Sequence, residues 1–98
     1  MDYKIIFSEP SIEDLKNIVL FIAQDNPQAA ARFGSQLIES VRHLAAFPRL
    51  GRVVPEKNDE NIREIIFKSY RIFYRVKDNA ALVEIARFWH AARGQPPL

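Results

Sequence analysis

"YRIFYRV" (residues 70–76) sets two arginines and two tyrosines into seven positions rich in β-branched and aromatic side chains. Such a run favours an extended strand, in which successive side chains point to opposite faces. Tyr70, Ile72, Tyr74 and Val76 then share one face, and Arg71, Phe73 and Arg75 share the other. The first set suits a hydrophobic core. The second sends two guanidinium groups to the far side of a sheet.

The flanking segments supply neighbours for this strand. "IREIIFK" (62–68) and "ALVEIARFW" (81–89) have the same strand character, and "KDNA" (77–80) between the last two offers turn residues. In the last strand the sides are ambiguous. Val83, Ile85, Arg87 and Trp89 form one, and Leu82, Glu84, Ala86, Phe88 and His90 form the other. Further back, "YKIIF" (3–7) reads as a short buried strand.

Between these strands lie two helices. Ile12, Leu15, Ile18, Val19 and Ile22 recur at spacings of three and four, an amphipathic helix ending near Gln24. Ser8 or Ser11 can cap it, and Ser11 with Asp14 resembles a capping box. Asn26 and Pro27 restart the helix, whose buried stripe is Ala30, Phe33, Leu37, Val41 and Leu44, and Pro48 stops it. Residues 48–61 read as an irregular connection and 91–98 as a loose tail. The order is β-α-α-β-β-β, an α+β layer with a helical hairpin on one face of a small antiparallel sheet. Nothing in this order covers the other face, so an open, arginine-bearing surface is expected there.

At 98 residues the chain fits one domain, expected over 1–98, with 48% hydrophobic residues to build a modest core. It has no cysteine, which excludes disulfides and thiolate metal sites. No apolar run approaches the ~18 residues of a membrane span, and no secretory signal stands out, so a cytoplasmic location without membrane partners is expected. The net charge is only +2 but lopsided: residues 1–31 hold two basic and five acidic side chains, and residues 32–98 hold twelve and seven. An arginine-rich second part suits an anionic partner, a nucleic acid or an acidic protein, as well as a plain solvated surface.

Four stretches in order resemble the RelE/ParE superfamily of toxins from bacterial type II toxin–antitoxin systems. They are "FSEPSIEDLKNIVLFIAQDNPQAAARF", "HLAAFPRLGRVVPE", "REIIFKSYRIFYRV" and "EIARFWHAAR", spanning nearly the whole chain. The resemblance implies the fold derived above and a growth-inhibiting toxin of the plasmid-stabilisation type. It also implies a cognate antitoxin, acidic and helical or extended, that neutralises it within a hetero-oligomer. It implies neither metal nor cofactor.

Two mechanisms compete within that superfamily. RelE-like members cut messenger RNA on the ribosome, and ParE-like members bind and poison DNA gyrase. Metal-free RNA cleavage needs a proton acceptor, a cation for the phosphate and a proton donor. Arg63, Arg71, Arg75 and Arg87 could supply the cation, and His90, Glu64 or Tyr74 the acid or base. No full acid–base pair is evident in "RFWHAARGQPPL", and the His90–Arg93 ending resembles the ParE-like branch, which is the favoured reading. The target-binding set expected on this basis is Arg63, Arg71, Arg75, Arg87, Trp89, His90 and Arg93. If the chain is a ribonuclease, the catalytic candidates are Arg63, Arg71, Tyr74, Arg87 and His90.

Blander roles stand beside these. His43 lies off its apolar stripe as a solvent-exposed bystander, and His90 suits an end-cap. Arg71 and Arg75 suit solubility devices on a sheet face. Trp89 suits a core or partner-buried position, and "PRLGR" a structural turn around Gly51, whose Arg49 and Arg52 could steer an anion. Glu13, Asp14 and Glu39 read as helix-surface acids.

Overall fold

The computed structural model describes residues 2–98; Met1 lies outside the described residues. Strand β1 (Lys4–Phe7) leads into helices α1 (Glu9–Ala23) and α2 (Pro27–Ser40). Strands β2 (Arg52–Val53), β3 (Ile62–Phe67), β4 (Tyr70–Lys77) and β5 (Leu82–His90) follow. The sheet order is β1-β5-β4-β3-β2, antiparallel except where β1 joins β5 in parallel. The two helices pack on one face, so the α+β layer expected from the sequence is the fold.

Local chemistry sets the helix ends. Ser8 caps α1, its Oγ accepting the Ser11 N–H at 3.2 Å, with Pro10 in the first turn. Asn26 caps α2 through Ala29 N–H at 3.0 Å, followed at once by Pro27. The α-helical part of the second stripe ends at Ser40, and Leu44 reaches the core from a 3-10 turn at Arg42–Ala45.

The core lies between helices and sheet. Leu37, Val41 and Leu44 meet Ile72, Tyr74 and Val76 of β4 and Val83, Ile85 and Phe88 of β5. The first register of "YRIFYRV" is therefore the core side. In β5 neither alternation holds throughout, because a bulge intervenes. Phe73 pairs with Arg87 but Tyr74 pairs with Ile85, leaving Ala86 as the extra residue. Val83 and Ile85 face the helices before the bulge, and Phe88 does so after it.

Four expectations are corrected here. The far face is not left open: Val54, Phe73, Ala86 and Trp89 form a second buried cluster, with Ile62 and Leu98 packed against it. The "irregular" connection holds a short β2 and a 3-10 turn at Pro55–Lys57, and Val54 between them is fully buried. The tail is not loose, since Trp89 Nε1 donates to Gly94 C=O at 3.0 Å, Gln95 to Glu56 at 2.6 Å and Arg87 to Pro97 C=O at 3.4 Å. In α1, Leu15 and Ile18 of the apolar stripe pack on the core, but Ile12 is exposed while Ser11 and Asp14 are buried, so the inward face also holds two polar residues. Asp14 is thus neither a surface acid nor half of a capping box with Ser11.

Gly51 positions the turn that leads into β2. Its N–H donates to the Tyr74 hydroxyl at 2.9 Å, and a Cβ there would sit 2.5 Å from the Glu64 carbonyl oxygen and 2.8 Å from the Tyr74 oxygen. A backbone carbonyl cannot swing aside as a flexible side chain can. Gly51→Ala is expected to lower unfolding free energy by about 2–3 kcal/mol, read as a shifted urea midpoint with an unchanged denaturant slope.

Candidate functional site

The sheet arginines are placed by strand alternation, and carboxylates meet them. Arg71 crosses the far face to Glu64 in a fork, Nε to Oε1 at 2.6 Å and Nη2 to Oε2 at 3.0 Å. Arg52 reaches the same carboxylate, Nε to Oε2 at 2.8 Å. Glu64 is only 1% exposed. Burial by itself pushes its carboxyl up, but hydrogen bonds from Arg71 and Arg52 outweigh that and hold it below the usual carboxylate range. The Arg71 guanidinium also stacks on Phe73, 4.7 Å from the ring centre.

Arg75 pairs with Glu84 at 3.2 Å. Arg63 serves as a staple, donating to the carbonyls of Glu60 at 2.9 Å and Gly51 at 2.9 Å. Arg49 holds Asp78 at 2.8 Å, and Asp78 also accepts the Tyr3 hydroxyl at 2.6 Å. These hydrogen bonds, from Arg49 first and then Tyr3, hold the Asp78 carboxyl below its ordinary value. Tyr74 is fully buried, and burial pushes its phenol up.

Arg87 has the most complete partner. Asp14 Oδ2 accepts its Nε at 2.7 Å and Oδ1 accepts its Nη2 at 2.9 Å. The same Oδ2 accepts the backbone N–H of Phe88 at 3.1 Å. The reason is topological. β1 ends at Phe7 opposite Ile85, so β5 continues to His90 with its outer edge unpaired by any strand. There α1 supplies substitutes, with Ser8 Oγ donating to Ala86 C=O at 3.0 Å and Asp14 taking Phe88 N–H.

Beyond Asp14 this edge opens into a cleft of about 350 Å³. Helix α1 contributes Asn17, Ile18 and Phe21, the sheet contributes Tyr70, Phe88 and His90, and Arg93 completes the lining. The His90 ring meets Tyr70 edge-on at 5.2 Å between centres. Its Nδ1 accepts the Ala92 N–H at 3.1 Å, so the neutral ring carries its proton on Nε2. Arg93 ion-pairs with no carboxylate among the described residues, and its guanidinium lies 3.8 Å from the centre of the Trp89 ring. Arg87 approaches the same ring at 4.7 Å. Trp89 is thus 6% exposed and clasped by two arginines.

Of the residues singled out from sequence, the structure brings together Arg87, Trp89, His90 and Arg93 at the end of β5. Arg71 lies on the far face with Glu64, Arg75 pairs at the other end of β4, and Arg63 holds the loop. His43 is exposed, away from this cleft. Sequence reasoning missed Asp14, Ile18 and Phe21. Their signal was the spacing Ser11, Asp14, Ile18, three and four residues apart, which marks a buried face as well as the leucine-bearing stripe does. Among the described residues no group of three or more His, Cys, Asp or Glu side chains is placed to hold a metal ion, and no helix is long and apolar enough to cross a membrane.

The geometry, a helical hairpin on one face of a five-stranded sheet, agrees with comparisons to known proteins. The family model described as ParE toxin of type II toxin–antitoxin system, parDE, matches residues 5–94. The chain belongs to this family, within the RelE/ParE superfamily. It is 33% identical over 91 residues to Toxin RelE2 of Caulobacter vibrioides, covering 92% of this chain and 97% of that protein. Toxin RelE1 of the same organism is 27% identical over 90 residues, covering 92% and 95%. Among solved structures, the chromosomal ParDE system of P. aeruginosa superposes with a TM-score of 0.74 at 18% identity, over 90% of this chain and 95% of that one. The isolated E. coli RelE toxin gives 0.61 at 16% identity, over 95% and 88%. These two likenesses show a shared fold.

The Glu64 cluster generates a pH prediction. Its folded carboxyl titrates below the ordinary value of 4.5, so on acidification the unfolded chain takes up the proton first. The stabilisation is complete above that value and is lost as pH falls through the depressed one. Glu64→Gln is expected to cost about 3 kcal/mol at pH 7. The gap to the parent protein should shrink steadily in urea melts below the ordinary carboxylate range.

Proposed function

We propose that this chain is a growth-arresting toxin that acts by binding and poisoning DNA gyrase, and that a cognate antitoxin neutralises it. Family membership carries the toxin part. What supports binding over RNA cleavage is the occupation of the groups cleavage would need. Arg87 is engaged on both arms by Asp14, Tyr74 is fully buried, and Glu64 is sealed between two guanidinium groups. The Nδ1 of His90 is engaged by Ala92. A phosphate would have to displace a bidentate carboxylate before Arg87 could hold it.

Arg93, with its guanidinium unpaired by any described carboxylate, and the adjoining His90 make the end of β5 the target-binding surface in this reading. Arg87 holds that surface in shape through Asp14, while Arg63, Arg71 and Arg75 act as structural ties elsewhere in the fold. The antitoxin partnership is supported by the solved relatives: the ParDE system of P. aeruginosa and the RelBE complexes of E. coli and Mycobacterium tuberculosis are toxin–antitoxin assemblies.

Ribosome-dependent messenger cleavage is the second reading. It is favoured by the RelE names of the Caulobacter relatives and by the His90–Tyr70 pair beside Arg93. One experiment separates the two. Purified chain is added to a gyrase supercoiling and DNA-cleavage assay, and in parallel to a translating extract followed by primer extension. Inhibited supercoiling with trapped cleaved DNA, and no new message ends, is the expected outcome; new message ends with unaffected gyrase support the alternative. Arg93→Ala is expected to reduce growth arrest at least tenfold in inducer titration while the protein stays folded, its thermal midpoint falling by no more than about 5 °C for the lost contact with Trp89.

A further inference from the structure

We propose that one end of the molecule, where the β3–β4 hairpin tip, the first half of α2 and the turn after β5 meet, is a contact surface for the phosphate backbone of duplex DNA. Arg32, Lys68 and Arg93 would each meet a phosphate. The inference deepens the gyrase reading above and rests on it for the source of the DNA: a toxin that traps cleaved DNA on the enzyme would grip both. The surface itself rests on the fold.

Connectivity gathers the three cations. The hairpin turns over Lys68 and Ser69, between the end of β3 and the start of β4. Lys68 lines a groove with Arg32 and Gln36 of α2, and no acid lines it. Beside Arg32, the Phe33 ring lies 5.6 Å from that of Tyr70, which in turn meets His90 at 5.2 Å. Ala91 N–H donates to Ser69 C=O at 2.8 Å, tying the turn that carries Arg93 to the hairpin tip.

Charge selects the ligand. Most arginines of this chain hold carboxylates, but Arg32, Lys68 and Arg93 hold none among the described residues. Acids lining the adjoining clefts are committed, Asp14 to Arg87 and Glu39 to Arg42 at 3.1 Å. Cations set apart by aromatic rings suit a ligand that repeats its charge, because a lone carboxylate reaches only one of them. Phe33 and Tyr70 are half-buried and packed on Phe67 and His90, so these rings offer little face to an unstacked base. A duplex, with its bases stacked inside and its phosphates outside, is the better fit.

The backbone adds an independent observation. Lys68 has a φ of 54°, in the left-handed region that glycine adopts without strain. Glycine would serve a two-residue hairpin turn at less cost. The lysine returns little to folding, since its ammonium lies 5.7 Å from the Phe67 ring centre, near the outer limit of a cation–π contact. Strain kept at one position for a charge at the tip of a sheet points to a ligand outside the chain.

The test is fluorescence anisotropy of a labelled random-sequence duplex, titrated with the full chain, without gyrase, in rising KCl. Three phosphate contacts predict a slope of log Kd on log salt of about 2.7, or about fortyfold weaker binding between roughly 50 and 200 mM. Arg32→Gln, Lys68→Gln and Arg93→Gln should each lower the slope by about 0.9. Lys4→Gln, at the other end of β5 opposite Leu82, should leave it unchanged. Lys68→Gly should lose the same increment while its thermal midpoint holds or rises, an outcome that a structural role for the lysine does not allow. A slope near zero, an equal loss from Lys4→Gln, or full duplex binding by Lys68→Gly would overturn the proposal. So would tighter binding of a single-stranded RNA of equal length, which hands the surface to the messenger-cleavage reading. Supercoiling is scored separately. Inhibited gyrase without duplex binding defeats this inference alone, whereas duplex binding at this surface with unaffected gyrase defeats the gyrase reading alone.

Discussion

One carboxylate joins the two layers of this molecule. Asp14, on the second turn of α1, accepts both arms of Arg87 and the backbone N–H of Phe88, 73 and 74 residues away. A helix packed on a sheet by apolar contact alone is free to slide; a bidentate ion pair plus a main-chain hydrogen bond fixes its position and angle. The same contact substitutes for a missing strand. Where β1 stops, α1 takes over the edge of β5, and the polar residues Ser8 and Asp14 do there what a ladder would have done. Breaking the pair would strand a largely buried guanidinium, which is costlier than never having had it.

The pairing also redirects the functional reading. An arginine free on a sheet face is a phosphate ligand waiting to be filled; one held by a carboxylate on both arms is a structural member. Arg71 and Arg87 are of the second kind, and Arg75 is partly so. The positive charge left for a partner at the end of β5 is Arg93, steadied against Trp89, whereas Arg49 and Arg52 are themselves held by Asp78 and Glu64. Val54, Phe73, Ala86 and Trp89, with Ile62 and Leu98 packed against them, make the far face a small core of its own, with ion pairs across its surface. Electrostatics here both fastens the layers and selects which cations remain on offer.

The end of β5 gathers the remaining consequences. The strand outruns its parallel neighbour, bulges at Ala86 and hands over to a short turn capped by His90. Each feature moves side chains away from simple alternation. Phe88 goes to the helices, Trp89 to the far face, and Arg87 reaches round the edge to α1. A bulge is a common way to re-aim side chains without altering the rest of a sheet. Here it sets His90 and Arg93 at one cleft with residues of α1.

The amino-acid sequence by itself determined the order of the helices and of every strand but the short β2, and it pointed to Tyr70, Ile72, Tyr74 and Val76 as the core side of β4, because these depend on local propensity and on periodicities of 3.6 and 2. Motif order along the chain was also enough to point to the superfamily. It did not reveal the second core, since Val54 and Leu98 sit in segments rich in proline and polar residues, whose path over the sheet no local rule dictates. Nor did it assign the faces of β5: a single extra residue, Ala86, reverses the alternation, and nothing in "EIARFW" marks where the reversal falls. Asp14 looked like one more acid near a helix start. Only the tertiary structure decided that it faces inward, because its partner Arg87 is brought to it by sheet pairing across most of the chain, and long-range pairing leaves no trace in neighbouring residues.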